Sequence, residues 1–316
     1  MEQVETQRRG GVAVHRRSGR IACTAPFDFG ASLAFLRGFG PMRGEQGIGA
    51  DTLTKALVYR GQVVGFRVRQ AGTVERPELA YEMVSDRPIS EATQEAAARR
   101  IAFFLSADED LAPFYRRAAE DARFSPVAAL LRGLHHVKFP TPFEAACWGA
   151  INQRIQQRTA KGMKQAMCRR LGGRVVMGGE EHLAFPEAEA VAAAGEEGLR
   201  EVLGNDRKAR VVAAVARAFV GVDEAFLRNA PLAEVEAWLL GIHGVGPFTS
   251  AFVLFRGLGR FTRQPMSPRL TAAAEEVYGR PLSNADMERL SRSYGAWGGH
   301  WALHLWASTF VPQARA

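Results

Sequence analysis

The stretch Leu239-Leu240-Gly241-Ile242-His243-Gly244-Val245-Gly246-Pro247-Phe248-Thr249-Ser250-Ala251 constrains this chain more than any other. An apolar helical run stops at Gly241, two glycines bracket a single residue, and Pro247 stands where a new helix would begin. Proline suits a first helical position because its missing N–H would have no partner there anyway. The two glycines let the backbone take dihedrals closed to other residues and come close to a ligand. Amides exposed at the start of the second helix would face an anion, with the helix dipole in support. The segment therefore reads as two helices joined by a tight turn whose main chain can hold a phosphate. An ordinary helix-turn-helix corner uses the same glycines, so the rest of the chain must decide.

Upstream, the texture is β-like from Ile21 to about Val84. Phe66 and Val68 alternate with Arg67 and Arg69, as in a half-buried antiparallel strand, and Arg60-Gly61-Gln62 suits a hairpin turn. Phe29 to Phe39 carries Leu33, Leu36 and Phe39 on one helical face. After Pro88 the periodicity is helical. Ser90 to Leu105 is one helix. Another opens at Thr141-Pro142-Phe143-Glu144, with an N-cap residue, a first-turn proline and an acid, and should run to about Gln157. Further helices are expected over 160–171, 186–194, 199–203, 206–220, 232–240, 247–255, 268–278, 284–294 and 301–310.

The fold class that follows is α+β. A disordered leader over 1–14 precedes a small antiparallel-sheet N-terminal domain over 15–108. A larger all-helical domain over 109–316 contains the paired helices at about 232–256. The longest apolar runs, such as Val211 to Val220, are interrupted by Arg217 and too short for a membrane span. The polar start Met1 to Gly10 is no secretory signal. Three scattered cysteines (Cys23, Cys147, Cys168) give neither metal-ligand spacing nor a disulfide framework, which points to a reducing, cytoplasmic setting. A formal charge of +8 permits a polyanion partner without requiring one.

Several segments in order carry a resemblance. Pro26-Phe27-Asp28-Phe29 comes first, followed by Phe143-Glu144 through Ala150-Ile151-Asn152-Gln153 and by Asp206-Arg207-Lys208-Ala209 opening a helix. The glycine turn, Thr249 and the loop Gly257 to Pro268 come next, then Tyr294 through Trp301-Ala302-Leu303-His304-Leu305-Trp306. Together they resemble the helix-hairpin-helix DNA glycosylase superfamily with its Gly/Pro-rich loop, and within it the bacterial 3-methyladenine DNA glycosylase II.

That resemblance implies a monomeric enzyme that binds double-stranded DNA with damaged bases. It would rotate an alkylated purine out of the duplex and hydrolyse its N-glycosidic bond in base excision repair. The hairpin residues Gly244, Val245, Gly246 and Thr249 would contact DNA, as would Gln153 and Arg154. Arg154 falls where the family wedges a side chain into the gap left by the flipped base; an arginine there can stack on bases. Backbone carbonyls of Leu240, His243 and Val245 would hold a structural Na+ or K+, and no cofactor would take part in the chemistry. Phe248 stands where strand-cutting relatives carry a Schiff-base lysine, which implies monofunctional activity. Phe248, Phe252 and Trp306 would line the base pocket, their ring faces attracting a cationic purine.

One element departs from the family. Its catalytic aspartate would fall at Pro268, or at Ser267, and no acid occurs between Gly241 and Ala274. Losing one well-aimed group of this kind costs on the order of 2.7–4 kcal/mol, a hundred- to thousandfold in rate. Glu144, Glu275 and Asp286 are the acids from other segments that could compensate. The alternative readings are a non-catalytic binder of damaged DNA and a helical protein–protein module.

Overall fold

Alternating strands in the first third of the chain pair into one antiparallel sheet. The computed structural model describes residues 5–9, 12–42, 44–260 and 267–311. Six strands, β1 (Glu5–Arg9), β2 (Val12–Ala22), β3 (Gly47–Ile48), β4 (Thr52–Tyr59), β5 (Gln62–Gln70) and β6 (Glu78–Ser85), pair in the order β1-β2-β6-β5-β4-β3. The β4–β5 turn rests on Arg60 and Gly61 at φ 49° and 69°, the two left-handed residues that suit the twist of a tight hairpin. Register puts Leu53, Leu57, Val64, Phe66, Val68, Tyr81 and Met83 on one face, and all are buried. A one-residue slip would turn that set to solvent.

Part of the expected leader is ordered as strand. Residues 5–9 and 12–14 of the stretch 1–14 lie in β1 and β2. Main-chain pairing with a neighbour needs no apolar side chains, so a polar sequence gives no warning of it.

Two helices cover the inner face of the sheet. α1 (Phe29–Gly38) is capped by Asp28, whose carboxylate accepts from Ala31 N at 3.0 Å, and it is buried at nearly every position. α2 (Glu91–Leu105) is capped by Ser90 and lies against β2 and β4. α3 (Ala112–Ala119) and α4 (Ser125–Leu130) lead into α5 (Pro142–Ile151), which is buried along its whole length. A helix apolar all round belongs at the centre of a fold, and α5 packs against α6 (Gln157–Leu171) and the helices that follow.

The expected all-helical domain is interrupted. β7 (Gly173–Met177) and β8 (Glu180–Ala184) form a hairpin on Gly178 and Gly179, both with positive φ, and it packs onto β4 and β5. Val175 covers the outer side of Gly65. α7 (Ala188–Leu203) joins two expected helices across Gly195, and α8 (Asp206–Val220) and α9 (Glu224–Asn229) precede α10 (Leu232–Leu240) and α11 (Pro247–Phe252). α12 (Pro268–Tyr278), α13 (Asn284–Ser293) and α14 (Gly298–Ser308) close the chain around a second, smaller core of Phe114, Phe124, Leu270 and Trp301. No described helix is long and apolar enough to cross a membrane.

Candidate active site

The site starts from the turn between α10 and α11. Gly241 N donates to Ala237 O at 3.0 Å, and Val245 N donates to Ile242 O at 3.0 Å, so the chain reverses within six residues. Gly244 has φ 81°, and a Cβ there would lie 2.4 Å from Cγ2 of Val211 on α8. Only glycine satisfies both conditions. Gly246 differs. Its backbone is ordinary extended chain (φ −98°, ψ 179°), and an added Cβ would meet nothing within 4 Å. The expectation that both glycines relieve backbone strain is thus corrected: Gly244 does, while Gly246 leaves an open approach. Val245 is buried and offers only its main chain, whereas Leu240 and His243 are exposed. Among the described residues no donor reaches the carbonyl oxygens of Leu240, His243 or Val245.

α5 delivers the second component. It stops at Ile151, short of the expected Gln157, because its end is tied down from outside. The Lys208 ammonium, at the start of α8, donates to Ala150 O at 3.0 Å and to Gln153 O at 2.6 Å. A cation at a helix C-terminus satisfies carbonyls that the helix itself leaves unpaired. Burial, with Arg207 nearby, pulls the Lys208 pKa below its usual value. Nothing in the helical periodicity singled out Lys208; its place in the Asp206–Ala209 segment was the available signal.

Beyond that tie, the Gln153 side chain donates to Gly244 O and to Thr249 Oγ1, both at 3.0 Å. Thr249 is therefore not a surface contact, as expected from sequence, but is 1% exposed. The cause is Gly149, where a Cβ would sit 2.8 Å from Thr249 Cγ2; without it, α11 settles onto α5. Arg154 follows, exposed and with φ 55°. A left-handed non-glycine residue costs roughly 1–2 kcal/mol and persists only where its surroundings impose it. Here Lys208 and Gln153 do so.

The third component is aromatic. α11 runs directly into a π-helical turn over Val253–Gly257, in which Leu258 N donates to Val253 O at 2.9 Å. Phe252 and Trp306 are half-buried at the edge of one ring cluster. Phe252 meets Phe139 at 5.7 Å, Phe139 meets Phe39 at 6.4 Å, and Phe39 meets Trp306 at 6.5 Å. Phe248, 67% exposed on α11, stands apart from them. Among these rings, the Arg256 guanidinium lies 4.7 Å from the Phe39 ring, 5.0 Å from Phe35 and 5.6 Å from Trp306. Arg256 was not among the expected site residues.

No family model matches the chain. A DNA-3-methyladenine glycosylase of Bacillus subtilis is 26% identical over 192 residues; the match spans 60% of this chain and 63% of that relative. Among solved structures, a 3-methyladenine DNA glycosylase from Archaeoglobus fulgidus superposes with a TM-score of 0.72 at 21% identity, covering 91% of this chain and 97% of that one. The chain carries the helix-hairpin-helix DNA glycosylase fold. The same architecture recurs in the 8-oxoguanine glycosylase/lyase of Clostridium acetobutylicum, with a TM-score of 0.59, 14% identity and 97% of each chain covered.

Against that glycosylase fold, the start of α12 is where an acid is expected. Ser267 is the N-cap of α12, and its hydroxyl accepts from Leu270 N at 3.2 Å. Pro268 fills the first helical position; both residues are exposed. The loop residues 261–266 lie outside the described residues. The three candidate substitutes are occupied elsewhere. Glu144 pairs with Lys164 at 2.7 Å, Glu275 accepts from Leu282 N at 2.9 Å, and Asp286 forms a capping box with Ser283.

Proposed function

We propose that this chain is a monofunctional DNA glycosylase that removes alkylated purines from duplex DNA by hydrolysing the N-glycosidic bond. The observation that carries this reading is the strained, exposed Arg154, braced through Gln153 and Lys208 against the glycine turn. Such bracing suits a side chain that must hold its place while it stands in for an extruded base. The open side of Gly246 lets a phosphate approach the main chain, and the free carbonyls of Leu240, His243 and Val245 fit a Na+ or K+ ion. That ion would rigidify the turn and supply no chemistry. Phe252 and Trp306 would stack on the flipped base, with Phe248 at the mouth. The reading is of a monomer acting in the cytoplasm in base excision repair.

Without an acid at Ser267, a purine that already carries positive charge is the substrate class best suited to leave, because it departs without protonation. The missing acid also favours a second reading, a binder of damaged DNA without activity. Single-turnover release of 7-methylguanine and 3-methyladenine from methylated duplex separates the two. Release above the spontaneous rate that falls in both Phe252→Ala and Trp306→Ala is the expected outcome. Salt-sensitive binding to an abasic duplex with no release at all would overturn the enzyme and leave the binder.

A further inference from the structure

The hairpin and the wedge leave the buried guanidinium of Arg256 without a task. Arg256 is 3% exposed, and its Nη1 donates to Val137 O at 3.3 Å. Among the described residues no carboxylate pairs with it. It stands amid four rings, those of Phe35, Phe39, Phe255 and Trp306. Burial pulls its pKa down to about 9, which still leaves it charged at neutral pH. His136, stacked on Phe255 at 4.6 Å, is held neutral by its own burial and by this charge. A methionine would fill the same space without burying a charge, so packing does not account for an arginine here. The π-helical turn that carries it is a geometry frequent at functional sites.

We infer that Arg256 sets a fixed positive charge behind the Trp306 wall of the pocket, and that this charge drives the base off its sugar. The inference rests on the glycosylase reading and adds to it a residue for the chemical step.

The physical basis is charge movement. When the C1′–N bond breaks, its electron pair goes to the base, and the sugar becomes an oxocarbenium that water attacks at C1′, releasing a proton to solvent. The charge on the base falls by one: a cationic 7-methylguanine leaves neutral, and a neutral base leaves as an anion. A positive charge nearer to the base than to the sugar therefore destabilises the ground state more than the transition state. A carboxylate beside the sugar would act in the same direction from the other side. Arg256 thus supplies, from behind the base, part of what Ser267 cannot supply in front of it.

A base stacked on Trp306 with Arg256 on the far side of the ring would lie about 4.5–7 Å beyond it, with its sugar further out. With an effective dielectric of about 10–20, the difference between the two positions is worth about twofold to fivefold in rate.

The test is a split between rate and ground-state affinity. In Arg256→Met, single-turnover release of 7-methylguanine should slow about twofold to fivefold. The same variant should bind a duplex carrying uncleavable 2′-fluoro-7-methylguanosine more tightly by a larger factor, about tenfold or more, because the whole ground-state repulsion is relieved. An unchanged rate in a folded Arg256→Met overturns the inference, as does a loss of rate and affinity together, the mark of a collapsed pocket. If methionine prevents folding, Arg256→Gln serves as the neutral variant. Wild-type binding decides without any variant: a preference above tenfold for the cationic analogue over neutral 2′-fluoroguanosine overturns the inference. Failure of wild type to release any base defeats the glycosylase reading instead, and this inference with it.

Discussion

Lys208 directs its ammonium at the carbonyls of Ala150 and Gln153, and through Gln153 it fixes the conformation of Arg154. Lys208→Met removes two charge-assisted hydrogen bonds to groups that stay partly buried, each of a kind worth about 1.5–3 kcal/mol. We expect the variant to lose about 2–4 kcal/mol of stability in urea titration and to bind duplex DNA more weakly. Wild-type stability in this variant would mean that the end of α5 is held by other contacts. Gln153 and Arg154 were singled out only through the family resemblance; the turn that holds them was not legible, since helical periodicity ran on to Gln157. Lys208 and Arg256 were less legible for a common reason: a buried charge is defined by what surrounds it, and periodicity records only where apolar residues recur. Arg256 was doubly hidden, since a π-helical turn shifts the phase on which such a reading depends. Thr249 erred the other way. A threonine at a helix start looks like a ligand contact until Gly149 draws it into the core.

The two glycines of the turn look alike as letters and differ as parts of an element. Gly244→Ala places a Cβ at φ 81° and within 2.4 Å of Val211. The left-handed backbone alone costs roughly 1–2 kcal/mol, and overpacking adds about 1–3 kcal/mol. Gly246→Ala meets open space in an extended backbone and should change stability by less than about 0.5 kcal/mol. If main chain near Gly246 touches DNA, that second variant should instead lose duplex affinity while its thermal midpoint holds. Equal destabilisation of both would contradict the distinction drawn between them. The turn was legible because Gly-Val-Gly-Pro fixes it locally. The β7–β8 hairpin was missed although Gly178-Gly179 marks its turn, since its strands are five residues each and their partners β4 and β5 lie more than a hundred residues away. Its role is to cover Gly65, a requirement visible only once the sheet exists.

Across the whole molecule, sheet and helices are joined by buried ion pairs as well as by apolar packing. Lys164 on α6 holds Glu144 of α5 and Glu45 of the segment before β3, each at 2.7 Å. Glu109, just after α2, meets His300 of α14 at 3.0 Å. Burial alone would raise the Glu109 carboxyl, but His300, with Lys138 and His135 beyond it, outweighs that and holds it at about 2. Burial likewise works against Glu45, and Lys164 with Lys55 pulls it below the usual carboxylate range. A carboxyl depressed on folding stabilises the protein above its unfolded pKa and stops doing so as pH falls through its folded one. For Glu109 the window runs from about 4.5 down to about 2, and the stabilisation at stake is about 3 kcal/mol. Folding free energy measured by urea titration from pH 6 to pH 2 should therefore drop across that interval. In Glu109→Gln it should start lower and drop by about 3 kcal/mol less, the remaining slope coming from other depressed carboxyls, Glu45 and Glu224 among them, and from buried histidines such as His136 and His304 that charge on unfolding. A variant as steep in acid as wild type would show that the Glu109–His300 contact does not couple the segment after α2 to α14.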